Sequence, residues 1–189
     1  MQTFLTRNYQ LKYPNLEVKA SFQRHLIALL TKKQAASINP LIGDIYGYLA
    51  KEKIGEMIGV LTSILSDIPY SLHIEDEKFY HSLLQTIFSA AGIDTESERF
   101  TSVGRMDILL KLPNVLYIIE LKINKTPKVG LKQIENQKYY EPFLHKGLPI
   151  HAIAISFIRK KASKKESSGF TISYATKGIQ ISKITSLDK

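Results

Sequence analysis

Residues 104–123 read GRMDILLKLPNVLYIIELKI. Two apolar runs, Met106–Leu112 and Val115–Ile123, flank Pro113-Asn114, a pattern that predicts two strands joined by a turn. In a hairpin centred on that pair, partner positions sum to 227, which sets Asp107 opposite Glu120 on one face. Carboxylates facing each other across a ladder destabilise a sheet unless something compensates. A divalent cation would do so, because hard cations prefer carboxylate oxygen. Lys122 lies two residues after Glu120 and projects from the same face, while Leu121 points the other way, into the core. A charged Glu-x-Lys pair interrupting Val-Leu-Tyr-Ile-Ile is unfavourable unless it is paired or ligated. An ammonium at that point can hold a water for attack on phosphorus, with a metal lowering the water's pKa and neutralising phosphoryl charge. The same register also sets Lys122 against Arg105, so two cations can balance two carboxylates without a metal. Such residues are common on the solvated face of an antiparallel hairpin.

Outward from this hairpin, the spacing predicts a helix over 76–91 with Phe79, Leu83, Leu84, Ile87 and Phe88 on its buried stripe and Gly92 as its stop. A strand near Ile93–Phe100 precedes the hairpin. Residues 128–146 read as a helix ended by Gly147, Pro149–Phe157 as a buried strand, and 170–175 as a last strand. The order helix, three strands, helix, strand makes an α/β (α+β) module. Upstream, apolar positions Phe22, Leu26, Leu29 and Leu30 predict a helix from Val18 to about Ala36, with that stripe in the core. A second helix is expected after Pro40, and a third over Lys51–Leu65 carrying Ile54, Ile58, Leu61 and Leu65. Residues 1–14 are read as a short strand or hairpin ending at Pro14. The expected division is a helical subdomain over 1–70, a core over 71–158, and a basic tail over 159–189.

Composition excludes several chemistries. The 189 residues contain no cysteine, so disulfides, thiol catalysis, Cys-zinc sites and iron–sulfur clusters are ruled out, and a reducing cytoplasm is expected. The apolar runs stay well short of the roughly 18 residues a membrane span needs, and MQTFLTRNYQ is unlike a signal peptide. There is no phosphate loop. The formal net charge is +9, which favours a polyanionic partner. Residues 159–189 carry +6 of it, mostly at Arg159, Lys160, Lys161, Lys164 and Lys165, a run that also reads as a solvated basic loop.

Asp107 followed by Glu120-Leu121-Lys122 resembles the signature of the PD-(D/E)XK nuclease superfamily. The ordered blocks EKFYHSLLQTIF, GRMDILL, YIIELKI and LKQIENQKYYEPF resemble the nuclease domain at the C-terminus of bacterial proteins that carry an AAA-type ATPase-like domain. Upstream, YPNLEVKASF and Asp67-Ile68-Pro69-Tyr70 resemble the helical region joining the two parts. The resemblance implies a restriction-endonuclease-like core, a mixed central sheet flanked by helices. It implies Asp107 and Glu120 as metal-binding acids, Glu77 as a further acid, the Leu121 carbonyl as a further ligand and Lys122 as the catalytic lysine. Gln133 would be the glutamine on the helix after the Glu-x-Lys strand, and Tyr139 the tyrosine that follows it. The implied cofactor is Mg²⁺ or Mn²⁺. Arg105-Met106 stand where the superfamily's name has proline, and the ATPase part is missing.

The expected function is therefore a divalent-metal-dependent nuclease acting on DNA. Arg105, Lys128, Lys132, Tyr139, Lys160 and Lys161 are its expected nucleic-acid contacts. A homodimer and a separate ATPase stand as candidate partners, with no membrane association. The alternative is an inactive nucleic-acid-binding or protein-interaction module. Acidic residues at a helix start such as Glu77 also stabilise the helix dipole alone. Likewise Gln133 also reads as a surface amide, and the tyrosines as packing residues.

Overall fold

A computed structural model describes residues 12–101, 104–160 and 169–179. Helices α1 (Leu16–Thr31), α2 (Ala35–Ala50), α3 (Ile54–Ser66) and α4 (Glu77–Ala90) come first. Strands β1 (Asp94–Thr101), β2 (Gly104–Lys111) and β3 (Leu116–Ile123) follow. Helix α5 (Pro127–Asn136), a 3₁₀ helix (Glu141–Lys146), β4 (Ile150–Lys160) and β5 (Gly169–Ile179) complete the order.

The five strands form one sheet in chain order, antiparallel except for the parallel β3–β4 pair. A parallel pair needs a crossover, and α5 with the 3₁₀ helix supplies it. The fold is thus the mixed α/β architecture expected from the sequence. In the β2–β3 hairpin Ile108 pairs with Ile119, Leu109 with Ile118, Leu110 with Tyr117 and Lys111 with Leu116, the register that the Pro113-Asn114 turn predicts.

The sheet is covered on both faces, which is why β3 is apolar almost throughout. On one face α1–α4 and the sheet share a single buried cluster that includes Ile27, Ile45, Leu61, Leu84, Phe88, Ile119 and Phe157. Tyr80 stacks on Phe157 with ring centres 4.0 Å apart, and the Tyr117 hydroxyl donates to the Leu49 carbonyl at 2.6 Å, tying α2 to β3. On the other face Met106, Leu109, Ile118, Ile134, Tyr139 and Phe143 form a second cluster beneath α5. Gly130 allows α5 to come close: a Cβ there would meet the Ala154 Cβ at 2.9 Å and the Glu120 Cγ at 3.4 Å.

The structure corrects several expectations. Helix α1 stops at Thr31, where Lys32 takes a left-handed conformation (φ 54°) and its N–H returns to the last turn, and α2 begins at Ala35 with Pro40 inside it. The buried face of α1 is Ile27, Ala28 and Thr31, whereas Phe22, Leu26 and Leu29 are exposed (52%, 37% and 61%). The 128–146 segment is not one helix. It breaks after Asn136, and Lys138 (φ 46°) turns the chain before the 3₁₀ helix. Strand β5 is longer than the expected 170–175, and the strand or hairpin expected over 1–14 falls largely outside the described residues.

Candidate active site

The two central strands part company at one point. Pairing between β2 and β3 ends at Ile108–Ile119. On the other side, β1 pairs Ser97 with Ile108 and then Arg99 with Met106. Asp107 is passed over by both ladders, and Glu98, its counterpart on β1, has a left-handed backbone (φ 51°). Instead of a ladder partner, the Asp107 Oδ2 accepts the Leu121 N–H at 2.9 Å. The carboxylate thus wedges into the fork between the strands. A cleft of about 150 Å³ opens there, lined by Asp76, Glu77, His81, Glu98, Arg105 and Asp107 among others.

Helix α4 enters this fork by its N-terminus. Asp76 caps it, accepting the Lys78 N–H at 2.8 Å. Glu77, the first helical residue, is thereby placed with its carboxylate 3.8 Å from the Lys122 Nζ. Period-two alternation sets Glu120 and Lys122 side by side on the α5 face of β3. They are 1% and 7% exposed, and the Lys122 Nζ donates to the Glu120 Oε1 at 2.8 Å. The other oxygen, Oε2, is buried and has no hydrogen-bond partner among the described residues.

Burial, then the negative charge of Asp107, pushes the Glu120 carboxyl up from 4.5 to about 7, against the pull of Lys122. For Lys122 burial works toward a lower value, but Glu120, Glu77 and Asp107 together outweigh it and raise the ammonium above its ordinary range. Lys122 therefore stays charged at neutral pH, while Glu120 sits near the midpoint of its titration.

Residues 75–167 match the profile of the PD-(D/E)XK nuclease superfamily. The segment belongs to that superfamily. Over 162 residues the chain is also 30% identical to a protein of Azotobacter chroococcum mcd 1 that is named only as an uncharacterized protein in the vnfD 5′ region. The match takes in 82% of this chain and 31% of that relative, so the chain spans about a third of the relative's length. No solved structure matches it.

Of the residues singled out on the PD-(D/E)XK pattern, Asp107, Glu120, Leu121, Lys122 and Glu77 come together at the fork. Among the described residues no three Asp, Glu or His side chains are drawn close enough to hold a metal ion; Asp107 and Glu120 each have one oxygen on a protein donor. Lys122 does not face Arg105. The ladder stops short of that pair, and Arg105 reaches Glu98 at 3.3 Å instead. Tyr139 is not a surface contact either. It is 2% exposed, and its hydroxyl donates to the Arg105 carbonyl at 2.8 Å, holding the start of β2. The Gln133 amide lies 3.5 Å from that hydroxyl, a long contact that places it behind β2. Lys128 and Lys132 are exposed on α5. Lys160 ends β4, and Lys161 lies outside the described residues.

Sequence reasoning missed two residues of the site. Glu98 was hidden because nothing in DTESERFT signals a left-handed residue at its fifth position. Gly130 was readable in principle: a glycine inside a helix is unfavourable unless something approaches closely, and here Ala154 and Glu120 do.

Proposed function

We propose that this protein is a divalent-metal-dependent nuclease that hydrolyses phosphodiester bonds in DNA. The observation that carries the reading is Glu120, buried beside a charged Lys122 with one carboxylate oxygen unpartnered among the described residues. An unmet buried acceptor is destabilising unless the working protein satisfies it. A hard cation would satisfy it, and the all-oxygen donors suit Mg²⁺ or Mn²⁺. Asp107 and Glu120 would hold the ion, with Glu77 and the Leu121 carbonyl as further ligands. When bound, it would lower the pKa of a water and neutralise phosphoryl charge.

The protein's own groups do the rest. The Lys122 ammonium, fixed by Glu120 and facing Glu77, holds the attacking water and offsets charge developing on the phosphate oxygens. Water adds to phosphorus as the ester P–O bond breaks. Tyr139, with Gln133 behind it, keeps β2 in place through the Arg105 carbonyl. The Arg105 side chain lines the cleft and would bind backbone phosphate there. Lys128 and Lys132, exposed on α5, would extend that contact, and Lys160 and Lys161 are proposed as further phosphate contacts from their charge alone.

The test is cleavage of labelled single- and double-stranded DNA in Mg²⁺, Mn²⁺ or EDTA, with wild type beside Lys122→Ala and Glu120→Gln. Cutting that needs the metal and is lost in both variants is expected. DNA binding without cutting under any divalent ion would refute the nuclease reading and leave a binding module.

A further inference from the structure

Asp107 has lost its place in the sheet, yet it must be held still. Its carboxylate takes the Leu121 N–H at 2.9 Å. Its main-chain carbonyl takes the Nε2 of His81 at 2.9 Å. His81 lies on α4, one turn beyond Glu77, and lines the same cleft. A carbonyl oxygen can only accept, so Nε2 carries the hydrogen and donates whether the ring is neutral or charged. The bond spans 26 residues and links the helix that presents Glu77 to the strand that presents Asp107.

From this geometry we infer that His81 is a positioning residue that fixes Asp107 relative to Glu77, without itself touching metal or substrate. Both strand ladders skip Asp107, so its backbone lacks the restraint that an interior strand residue ordinarily has. The carboxylate bond to Leu121 is local to the fork. The His81 bond, by contrast, refers Asp107 to α4. Met106 and Ile108 on either side stay paired to β1, so losing the bond should loosen Asp107 itself relative to Glu77, not the whole strand. Partners that hold metal-binding groups in this way, one step back from the ion, typically contribute 10–100-fold to its affinity.

The inference rests on the metal-dependent reading of the site, and the experiment separates the two. Mn²⁺ alone is titrated calorimetrically into the full chain: wild type, His81→Ala, His81→Gln, Glu120→Gln, Asp107→Asn, and His81→Ala combined with Asp107→Asn. Loss of about tenfold or more in Mn²⁺ affinity is expected for His81→Ala. His81→Gln should stay within about threefold of wild type, since its amide N–H can reach the same carbonyl. In the Asp107→Asn background His81→Ala should weaken binding no further. Should His81→Ala fail to fold, His81→Asn, whose amide is too short for the carbonyl, takes its place. Wild-type affinity in His81→Ala would overturn the inference. So would a glutamine variant as weak as alanine, because donation to the Asp107 carbonyl would then not account for the effect. Wild type that binds no Mn²⁺, or Glu120→Gln that binds it as tightly as wild type, would overturn the site reading beneath it.

Discussion

The Glu120 carboxyl should make the metal-free protein lose stability as pH rises through neutrality. Its folded-state value is about 7 against an ordinary 4.5, raised first by burial and then by Asp107, with Lys122 opposing. The fold therefore favours the neutral acid. The stability this confers is fully present below the unfolded value of 4.5 and is lost as pH climbs through about 7. At about 1.4 kcal/mol for each tenfold step in proton affinity, that rise corresponds to about 3 kcal/mol. Glu120→Gln removes the titration while keeping the shape. The assay is urea unfolding of wild type and Glu120→Gln in EDTA across that range. Other titrating groups largely cancel in the comparison. Wild-type stability minus variant stability should fall by about 3 kcal/mol between about pH 4.5 and pH 8. Lys122 remains charged over this window. Two curves that run parallel within about 0.5 kcal/mol would mean that Glu120 is solvated or fully compensated, and would refute the reasoning.

Mn²⁺ binding at about pH 6 should release close to one proton, because ligation requires the ionised carboxylate; calorimetry in buffers of differing ionisation enthalpy reads this, and no buffer dependence would count against it. Gly130→Val should destabilise the protein by about 1–3 kcal/mol and reduce cleavage, since the new side chain drives α5 off Ala154 and Glu120; unchanged unfolding and activity would contradict the packing described. Tyr139→Phe leaves the Arg105 carbonyl without its donor and should lower stability by about 1 kcal/mol, with a fall in cleavage rate and little change in DNA affinity. A loss of affinity alone would return Tyr139 to the substrate surface. Tyr117→Phe, far from the cleft, should lower stability by about 1 kcal/mol through its lost bond to Leu49 and leave cleavage intact.

The hairpin was legible because two constraints agree there. Pro113-Asn114 fixes a turn, and the apolar runs fix the strands, so the register follows as far as Ile108–Ile119. Glu120 and Lys122 were legible because charge in the middle of a buried strand has few physical reasons to be present. Helix α1 was not readable in the same way. It carries apolar residues on two faces, Phe22, Leu26 and Leu29 on one and Ile27 and Ala28 on the other, and periodicity alone cannot say which of them meets α4. The break after Asn136 was invisible because a lysine, Lys138, takes the left-handed turn that glycine usually signals. His81 could be placed near Glu77 by helical spacing, but its bond to a strand carbonyl depends on that carbonyl being skipped by two ladders, which no local pattern encodes.

These features share one physical origin. A regular antiparallel ladder would pair Asp107 with Glu120 and bring like charges together in the sheet. The fold avoids this by ending the ladder one residue early and turning the Asp107 carboxylate to a backbone N–H. Glu120 then turns to Lys122 on its own strand, and Glu98 opposite takes a conformation unusual for its residue type. The lost ladder pair and the Glu98 backbone are unfavourable, the two new carboxylate bonds offset them, and together they make the fork into which α4 inserts Glu77. Irregularity of this kind persists where surrounding structure over-determines it. Here Gly130 lets α5 close over Glu120 from one side, and His81 ties α4 to Asp107 from the other. The site is thus the point at which two covered faces of one sheet hold a local fault open.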